Sequence, residues 1–468
     1  MNKIILQRLS LAVSDIVSMA LAFLISIWLT NLYHHELNSP WSNFFHVGVS
    51  KLLGLVIIGV FWYFEQYSKR KPFWEELLQT YRLILFFVII NLGIAFVLKK
   101  GSLKIMLVGF WVGFAILIPI LRYLTKLFLL KINCWQRDVY ILGSGKTALD
   151  AYRLFVRNRL MGYRLVAVVG EDASHLSVNA IDIPLISQEQ FIKKIQAHAL
   201  CDVIVALDNG HLNQHTRLIN FLQHHCLAVL VLPDISGLAL YGAQIEHFFG
   251  NDQLVLRLNN NLARKSNIFM KRVFDLLCVI PGIIVLLPVF IVIGLIIKIS
   301  VGGRVFYFHQ RIGKHGQPFY CIKFQSMYAN SKQMLEQLLA NDPAIREEWE
   351  KSFKLKNDPR ITPIGRWLRK TSLDELPQLF NVLIGNMSLI GPRPIIKDEI
   401  ARYRDGFYFY QLVTPGISGL WQVSGRSETD YSDRVRLDEW YVKNWSLWYD
   451  IVILVKTISV VLKRSGAY

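Results

Sequence analysis

Acidic residues are in short supply in this sequence. Against 52 lysines and arginines stand only 34 aspartates and glutamates, a formal charge of +18, which suits anionic partners: phosphorylated substrates, lipid headgroups or nucleic acid. Cysteine is scarcer still. The five present, Cys134, Cys201, Cys226, Cys278 and Cys321, are scattered, odd in number and without metal-ligand spacing. That excludes a disulfide scaffold and a thiolate zinc site, and reads as a reduced, cytoplasmic or membrane-facing chain. Histidines such as His309 and His315 have no ligand-spaced partner either. The first apolar stretch lacks a small-residue cleavage motif, so it is expected to stay as an anchor. Between Asn31 and Phe45 there is no lysine or arginine.

Apolar side chains, by contrast, are abundant: 53% of the 468 residues are hydrophobic, with 12 tryptophans. The chain is too greasy for a soluble protein and too long for one ordinary domain. Four segments of near-spanning length come first, about Leu9 to Thr30, His46 to Phe64, Leu83 to Leu98 and Leu103 to Leu124. They predict a four-helix transmembrane bundle over residues 1–132 and make nucleic acid a weak explanation of the charge. Lys3, Arg8, Lys69, Arg70, Lys71, Arg82, Arg122, Lys126 and Lys131 fall on one side, opposite the cation-free loop, which puts both ends of the bundle in the cytoplasm. Lys99, Lys100 and Lys104 run against this as a local exception. Asp15, inside the first span, needs a partner in the bundle interior.

From about Asp138 short apolar runs alternate with helical ones: Val139 to Leu142, Leu165 to Val169, Val203 to Leu207 and Ala228 to Leu232. The alternation predicts a Rossmann-like α/β module over residues 133–258. Its first turn, Gly143-Ser-Gly145-Lys-Thr-Ala148, follows a strand and opens a helix as a dinucleotide fingerprint does, with Glu171 and Asp172 where a ribose-binding acid would stand. A cofactor site and a structural or regulatory module both fit; no hydride chemistry is expected. A further apolar stretch, Val273 to Ile299, is long enough to span, but Pro288 near its middle, or Pro281, breaks the helical ladder. A kinked helix over residues 271–300 that enters and leaves by one leaflet then becomes possible, with Lys271, Arg272 and Lys298 at headgroup level.

Beyond it, Arg369-Lys-Thr-Ser-Leu-Asp-Glu-Leu-Pro-Gln-Leu-Phe-Asn-Val-Leu383 places Asp374 and Glu375 at the start of an apolar-periodic helix. There the macrodipole favours an ionised nucleophile or metal ligand. Arg393, between Pro392 and Pro394, offers a fixed fork for phosphate. Read alone, Ser372-x-x-Glu375 is a capping box and Arg393 a surface residue.

The surroundings decide otherwise. Lys271-Arg-Val-Phe-Asp275, Gln310-Arg-Ile-Gly313, Lys323-Phe-Gln-Ser-Met327, the Asp374-Glu375 segment, Gly391-Pro-Arg-Pro394 and Thr414-Pro-Gly-Ile-Ser-Gly-Leu-Trp-Gln-Val-Ser-Gly-Arg426 together resemble the monotopic phosphoglycosyl transferases, or bacterial sugar transferases. Leu355 to Thr362, Asp438 to Trp445 and Arg464 to Tyr468 resemble the branch acting as undecaprenyl-phosphate galactose phosphotransferase. The resemblance implies a mostly helical catalytic domain over residues 259–468 with a re-entrant helix. It implies transfer of a hexose 1-phosphate, galactose first and glucose as runner-up, from a UDP-sugar to undecaprenyl phosphate at the cytoplasmic face of a bacterial inner membrane. Asp374 is then the nucleophile, forming a phosphosugar adduct as UMP leaves. Mg2+ is the expected cofactor, held by Asp374 or Glu375. Lys323, Arg369 and Arg393 match basic, phosphate-holding positions of the family. Gln325 stands where the family often has Arg or Lys, and Leu287 where many relatives have Ser before Pro288. Gln422 and Arg426 read as nucleotide or pyrophosphate contacts, or as parts of a structural turn. Trp440, Tyr441, Trp445, Trp448 and Tyr449 read as an interfacial belt, a buried core, or both. The first half of the chain is expected to build a homodimer or regulate; a nonenzymatic nucleotide-sensing scaffold is the alternative from another class.

Overall fold

The computed structural model describes residues 2–33, 54–97, 101–170, 183–197, 201–208, 214–233, 237–238, 240–247, 254–257, 261, 264–301, 304–328, 330–343, 345–347, 355, 358–425 and 430–463. Its internal contacts divide it into two compact units, Met1–Ile235 and Ser236–Tyr468.

The first unit begins with helices α1 (Asn2–Tyr33), α2 (Gly54–Tyr63), α3 (Phe73–Val97) and α4 (Gly101–Lys131). Small residues let α1 and α4 approach. A β-carbon added to Gly109 or Gly113, one helical turn apart, would stand 3.4 Å from the β-carbon of Ser26 or Ala22, so larger side chains would push the helices apart. Asp15 has the partner its position demanded: Arg122 donates to it through Nε at 2.8 Å and Nη2 at 2.6 Å, and the Tyr67 hydroxyl donates at 2.8 Å. A buried carboxylate survives in such a place only when fully paired. Helix α3 starts ten residues before the expected Leu83, because Glu75, Glu76 and Arg82 depress the local hydropathy without disturbing the backbone ladder. Lys99, Lys100 and most of the cation-free loop lie outside the described residues.

The same unit continues into a parallel sheet of β1 (Arg137–Leu142), β2 (Tyr163–Val169), β3 (Leu185–Ile186), β4 (Asp202–Val205) and β5 (Ala228–Val231), in the order β3-β2-β1-β4-β5. Helices α5 (Lys146–Arg157), α6 (Gln188–Ala197) and α7 (Thr216–His225) connect the strands. Strand β3, two residues long, was too short to signal itself in the sequence. Glu171 and Asp172 lie outside the described residues.

The second unit holds the hairpin β6 (Gln244–His247) and β7 (Leu254–Arg257), the long helix α8 (Lys265–Val301), and the antiparallel pair β8 (Phe306–Ile312) and β9 (Pro318–Phe324). Helices α9 (Ser331–Asn341), α10 (Pro363–Lys370) and α11 (Gln378–Ile384) follow, then β10 (Ser388–Ile390), the short helices α12 (Ile400–Tyr403) and α13 (Gly406–Tyr410), and β11 (Gly416–Ser418) parallel to β10. Helices α14 (Tyr431–Lys443) and α15 (Leu447–Lys463) close the chain. Among the described residues α1, α3, α4 and α8 are long and apolar enough to cross a membrane. Pro281 and Pro288 both lie inside α8.

The start of α8 is tied down by polar bonds. Lys271 donates to Asp450 at 2.7 Å and to the Ile390 carbonyl at 3.0 Å, while Tyr441 and Trp445 donate to the same Asp450 carboxylate at 2.7 and 3.1 Å. With every oxygen answered, the buried pair is a specific fastener instead of a liability. Arg272 caps the C-terminus of α11, donating to the carbonyls of Val382 and Leu383 at 2.6 and 2.8 Å. Asp275 accepts from the Ser388 hydroxyl at 2.7 Å. The aromatic run divides between its two readings: Tyr441 and Trp445 are core, whereas Trp440 is exposed.

Candidate functional site

Asp374 and Glu375 do not open the helix that the sequence pattern promised. They occupy a separate single turn, Leu373–Glu375, and α11 begins only after Pro377. Ser372 takes φ +57 and makes no side-chain cap, so the capping box does not form; Glu375 turns instead to Lys323, whose Nζ donates to its Oε1 at 2.7 Å. Asp374 is buried. Among the described residues no side chain hydrogen-bonds its carboxylate.

The two carboxyls titrate in opposite directions. Burial pushes Asp374 up to about 6, and the neighbouring negative charge of Glu375 adds to this against the pull of Lys323 and Arg369. Burial acts on Glu375 in the same sense, but Lys323, Arg393, the hydrogen bond from Lys323 and Arg311 outweigh it and hold Glu375 at about 2. Helix-end electrostatics alone would have kept Asp374 low; desolvation overrides them.

The cations arrive from three separate segments. Lys323 lies on β9, one face of which is fixed by an unusual neighbour: the side chain of Asn381. Its Nδ2 donates to the Tyr320 carbonyl at 2.7 Å and its Oδ1 accepts from the Ile322 N–H at 2.9 Å. One buried amide therefore satisfies the edge of β9 as a further strand would, and holds Lys323 in line with Glu375. Arg369, near the end of α10, donates through Nε to Ser326 Oγ at 3.0 Å. Its register depends on Gly365, where a β-carbon would fall 1.9 Å from the Ser326 carbonyl oxygen. Arg393 is set by a crossing of two backbones. A β-carbon on Gly416 would meet the Gly391 nitrogen at 2.1 Å, and the Gly416 N–H donates to the Pro392 carbonyl at 2.8 Å. Both motifs thus need glycine for close approach, and the prolines carry Arg393 out of the crossing.

The structure accordingly brings Asp374, Glu375, Lys323, Arg369 and Arg393 together. Gln422 has a local role, donating to the Ile417 carbonyl at 3.2 Å. Arg426 lies outside the described residues. Two contributors were not assigned from the sequence. Asn381 lies in the Arg369–Leu383 segment with no motif of its own; Arg311, inside the Gln310-Arg-Ile-Gly313 block, donates to the Pro394 carbonyl at 3.1 Å and pairs with Glu399 at 3.8 Å, steadying the Arg393 turn. No group of three or more His, Cys, Asp or Glu side chains converges among the described residues. A pair of carboxylates alone suits a cation such as Mg2+ that takes most of its ligands from phosphate and water.

Asn381→Asp keeps an acceptor for the Ile322 N–H but sets a carboxylate against the Tyr320 carbonyl. The variant is expected to lose about fivefold in turnover, the equivalent of one lost net hydrogen bond, and Asn381→Ala to lose more. Steady-state kinetics checks this, and wild-type turnover in both would disprove the clamp.

A family model described as bacterial sugar transferase matches residues 266–464. An undecaprenyl-phosphate galactose phosphotransferase of Salmonella typhimurium is 45% identical over 419 residues, 89% of this chain and 87% of that protein. A UDP-galactose-lipid carrier transferase of Erwinia amylovora is 40% identical over 479 residues, 99% of this chain and 98% of that protein. The exopolysaccharide production protein ExoY of Sinorhizobium fredii is 47% identical over 198 residues, 42% of this chain but 88% of that protein. With two relatives above 30% identity covered over nearly their full length, the chain belongs to the bacterial sugar transferase family.

Proposed function

We propose that this protein transfers a hexose 1-phosphate, galactose 1-phosphate in particular, from a UDP-sugar to undecaprenyl phosphate, releasing UMP and starting a lipid-linked glycan. The observation that carries the reading is the unequal carboxylate pair. Asp374 is buried without a side-chain partner and pushed up to about 6, while Glu375 is held ionised by Lys323. A carboxylate destabilised in this way is a better nucleophile than a solvated one and still a good leaving group from phosphorus. Asp374 would attack the sugar-bearing phosphorus, breaking its bond to the oxygen that departs with UMP. A lipid phosphate oxygen would then attack the same phosphorus and return the carboxylate. Lys323, Arg369 and Arg393 would hold the phosphate oxygens throughout. Mg2+ on Asp374 or Glu375 would supply neutralisation of the diphosphate charge.

Contacts along α8 support a membrane arrangement to go with this reaction. Its early residues Lys271 and Asp275 bond Asp450, Ile390 and Ser388, and its late residues Phe290, Ile293 and Ile297 share a core with Phe324 and Leu368. Contacts from both parts of α8 thus reach the body that carries the charged site, which favours a helix that stays on that side. Leu277, Ile284, Val285, Leu287 and Ile291 are exposed along it. This supports a helix bent at Pro288 or Pro281 that dips into the cytoplasmic leaflet, holding Asp374 where UDP-sugars are found and beside the lipid phosphate.

Asp374→Asn is expected to release no UMP from either UDP-galactose or UDP-glucose. Because the folded site binds the Asp374 proton more tightly than the unfolded chain, the stability tied to that proton is present at low pH and lost as pH rises through about 6. The Asn variant, which mimics the protonated acid, should melt about 2–4 °C above wild type at neutral pH without Mg2+, the shift for roughly 1 kcal/mol in a domain of this size. Turnover by it, measured as UMP release, would remove Asp374 from the mechanism. For topology, a thiol at Lys298→Cys should react with a membrane-impermeant reagent only after the cytoplasmic face is opened; labelling from the outside alone would refute the dip. A chain starting near Asn259 should retain transfer in nanodiscs, since all five site residues lie in the second unit; a well-folded, membrane-bound but inert truncation would mean that the first unit lends groups to the site.

A further inference from the structure

The glycine-rich turn between β1 and α5 has the sequence of a phosphate cradle, yet its donors are already taken. The carboxylate of Asp208, just beyond β4, accepts from the backbone N–H of Lys146 at 3.0 Å through one oxygen and from that of Thr147 at 2.8 Å through the other. These are the first free N–H groups of α5, which in a dinucleotide-binding turn would point at pyrophosphate. The glycines give an independent measure of the same contact. Gly145 has φ −99 and ψ −157, extended backbone open to any residue, so its conformation does not call for glycine. What calls for it is space: a β-carbon there would fall 1.5 Å from Asp208 Oδ2. In the nucleotide-binding version of this motif the second glycine is small so that pyrophosphate can come close; here the clearance is filled by a carboxylate of the same chain. Gly143, with φ +131, faces the Ala206 backbone, where a β-carbon would meet the carbonyl oxygen at 2.0 Å. Both glycines of the turn therefore pack against the segment that leaves β4.

We propose that the ligand of this turn is the chain's own Asp208, and that the fingerprint is a structural joint between α5 and β4 and no dinucleotide site. The ionised carboxylate satisfies two orphan donors and the positive end of the helix dipole, as a bound phosphate would. This assignment is independent of the transfer reaction and sets aside the nucleotide-sensing role that the motif invited.

A double-mutant cycle on the full chain in nanodiscs tests it, with the melting temperature of the first unit as readout. Gly145→Ala should lower the wild-type melting temperature by several degrees and should cost almost nothing in the Asp208→Ala background, where the clash is gone. Asp208→Asn keeps the shape of the side chain, so Gly145→Ala should remain costly there; this arm decides the matter if Asp208→Ala does not fold. Pyrophosphate should raise the melting temperature of the Asp208→Ala chain more than that of wild type, because the cations of the transfer site respond equally in both. NAD should leave wild type unchanged. An equal cost of Gly145→Ala in wild type and in the Asp208→Ala background, no cost in the Asp208→Asn background, or stabilisation of wild type by NAD would each overturn the proposal.

Discussion

In the second unit a buried carboxyl, Asp374, and a half-buried one, Glu375, stand side by side and cannot both be comfortable. Lys323 resolves the conflict by choosing one. Its ammonium sits 2.7 Å from Glu375, which fixes that residue as the permanent anion, while desolvation raises its neighbour Asp374 against the pull of the same Lys323, the Glu375 charge adding a smaller push. In the proposed mechanism the cost of ionising Asp374 is borne by the fold and released when the carboxylate meets an electrophile.

Such a balance holds only if Lys323 cannot wander, and much of the surrounding structure restrains it or its fellow cations. Asn381 fixes the strand that carries Lys323, Gly365 sets the depth of the helix that carries Arg369, and the Gly391–Gly416 crossing aims the turn that carries Arg393. Helix α8 is fastened to the same framework by Lys271 and Arg272. The apolar helix α8 and the cluster of cations around Asp374 and Glu375 are thereby built on one set of bonds.

The residues that gather around Asp374 were readable in the sequence because they stand in rare local combinations: adjacent acids, an arginine between prolines, glycines where backbones cross. Its geometry was less legible. The placement of Asp374 on an isolated turn depends on Pro377 and on the left-handed Ser372, and its raised pKa depends on burial by distant segments. Neither is a local property. Asn381 escaped notice because its partners, Tyr320 and Ile322, lie about sixty positions away. In the first unit the alternating apolar runs marked four strands, while two-residue β3 left no pattern. At the Gly143–Ala148 turn the sequence left a cofactor site and a structural module both open. Its motif was conspicuous, and only the three-dimensional placement of Asp208 revealed what fills it.

The central claim, that Asp374 becomes covalently attached to the sugar phosphate, is tested most directly by peptide mass spectrometry. The wild-type protein is incubated with UDP-galactose in the absence of lipid acceptor and quenched before digestion. A phosphohexose on the peptide carrying Asp374, lost when undecaprenyl phosphate is added before the quench, is the predicted result. An adduct on Glu375, or UMP release that occurs only with the lipid present and leaves no adduct, would contradict it.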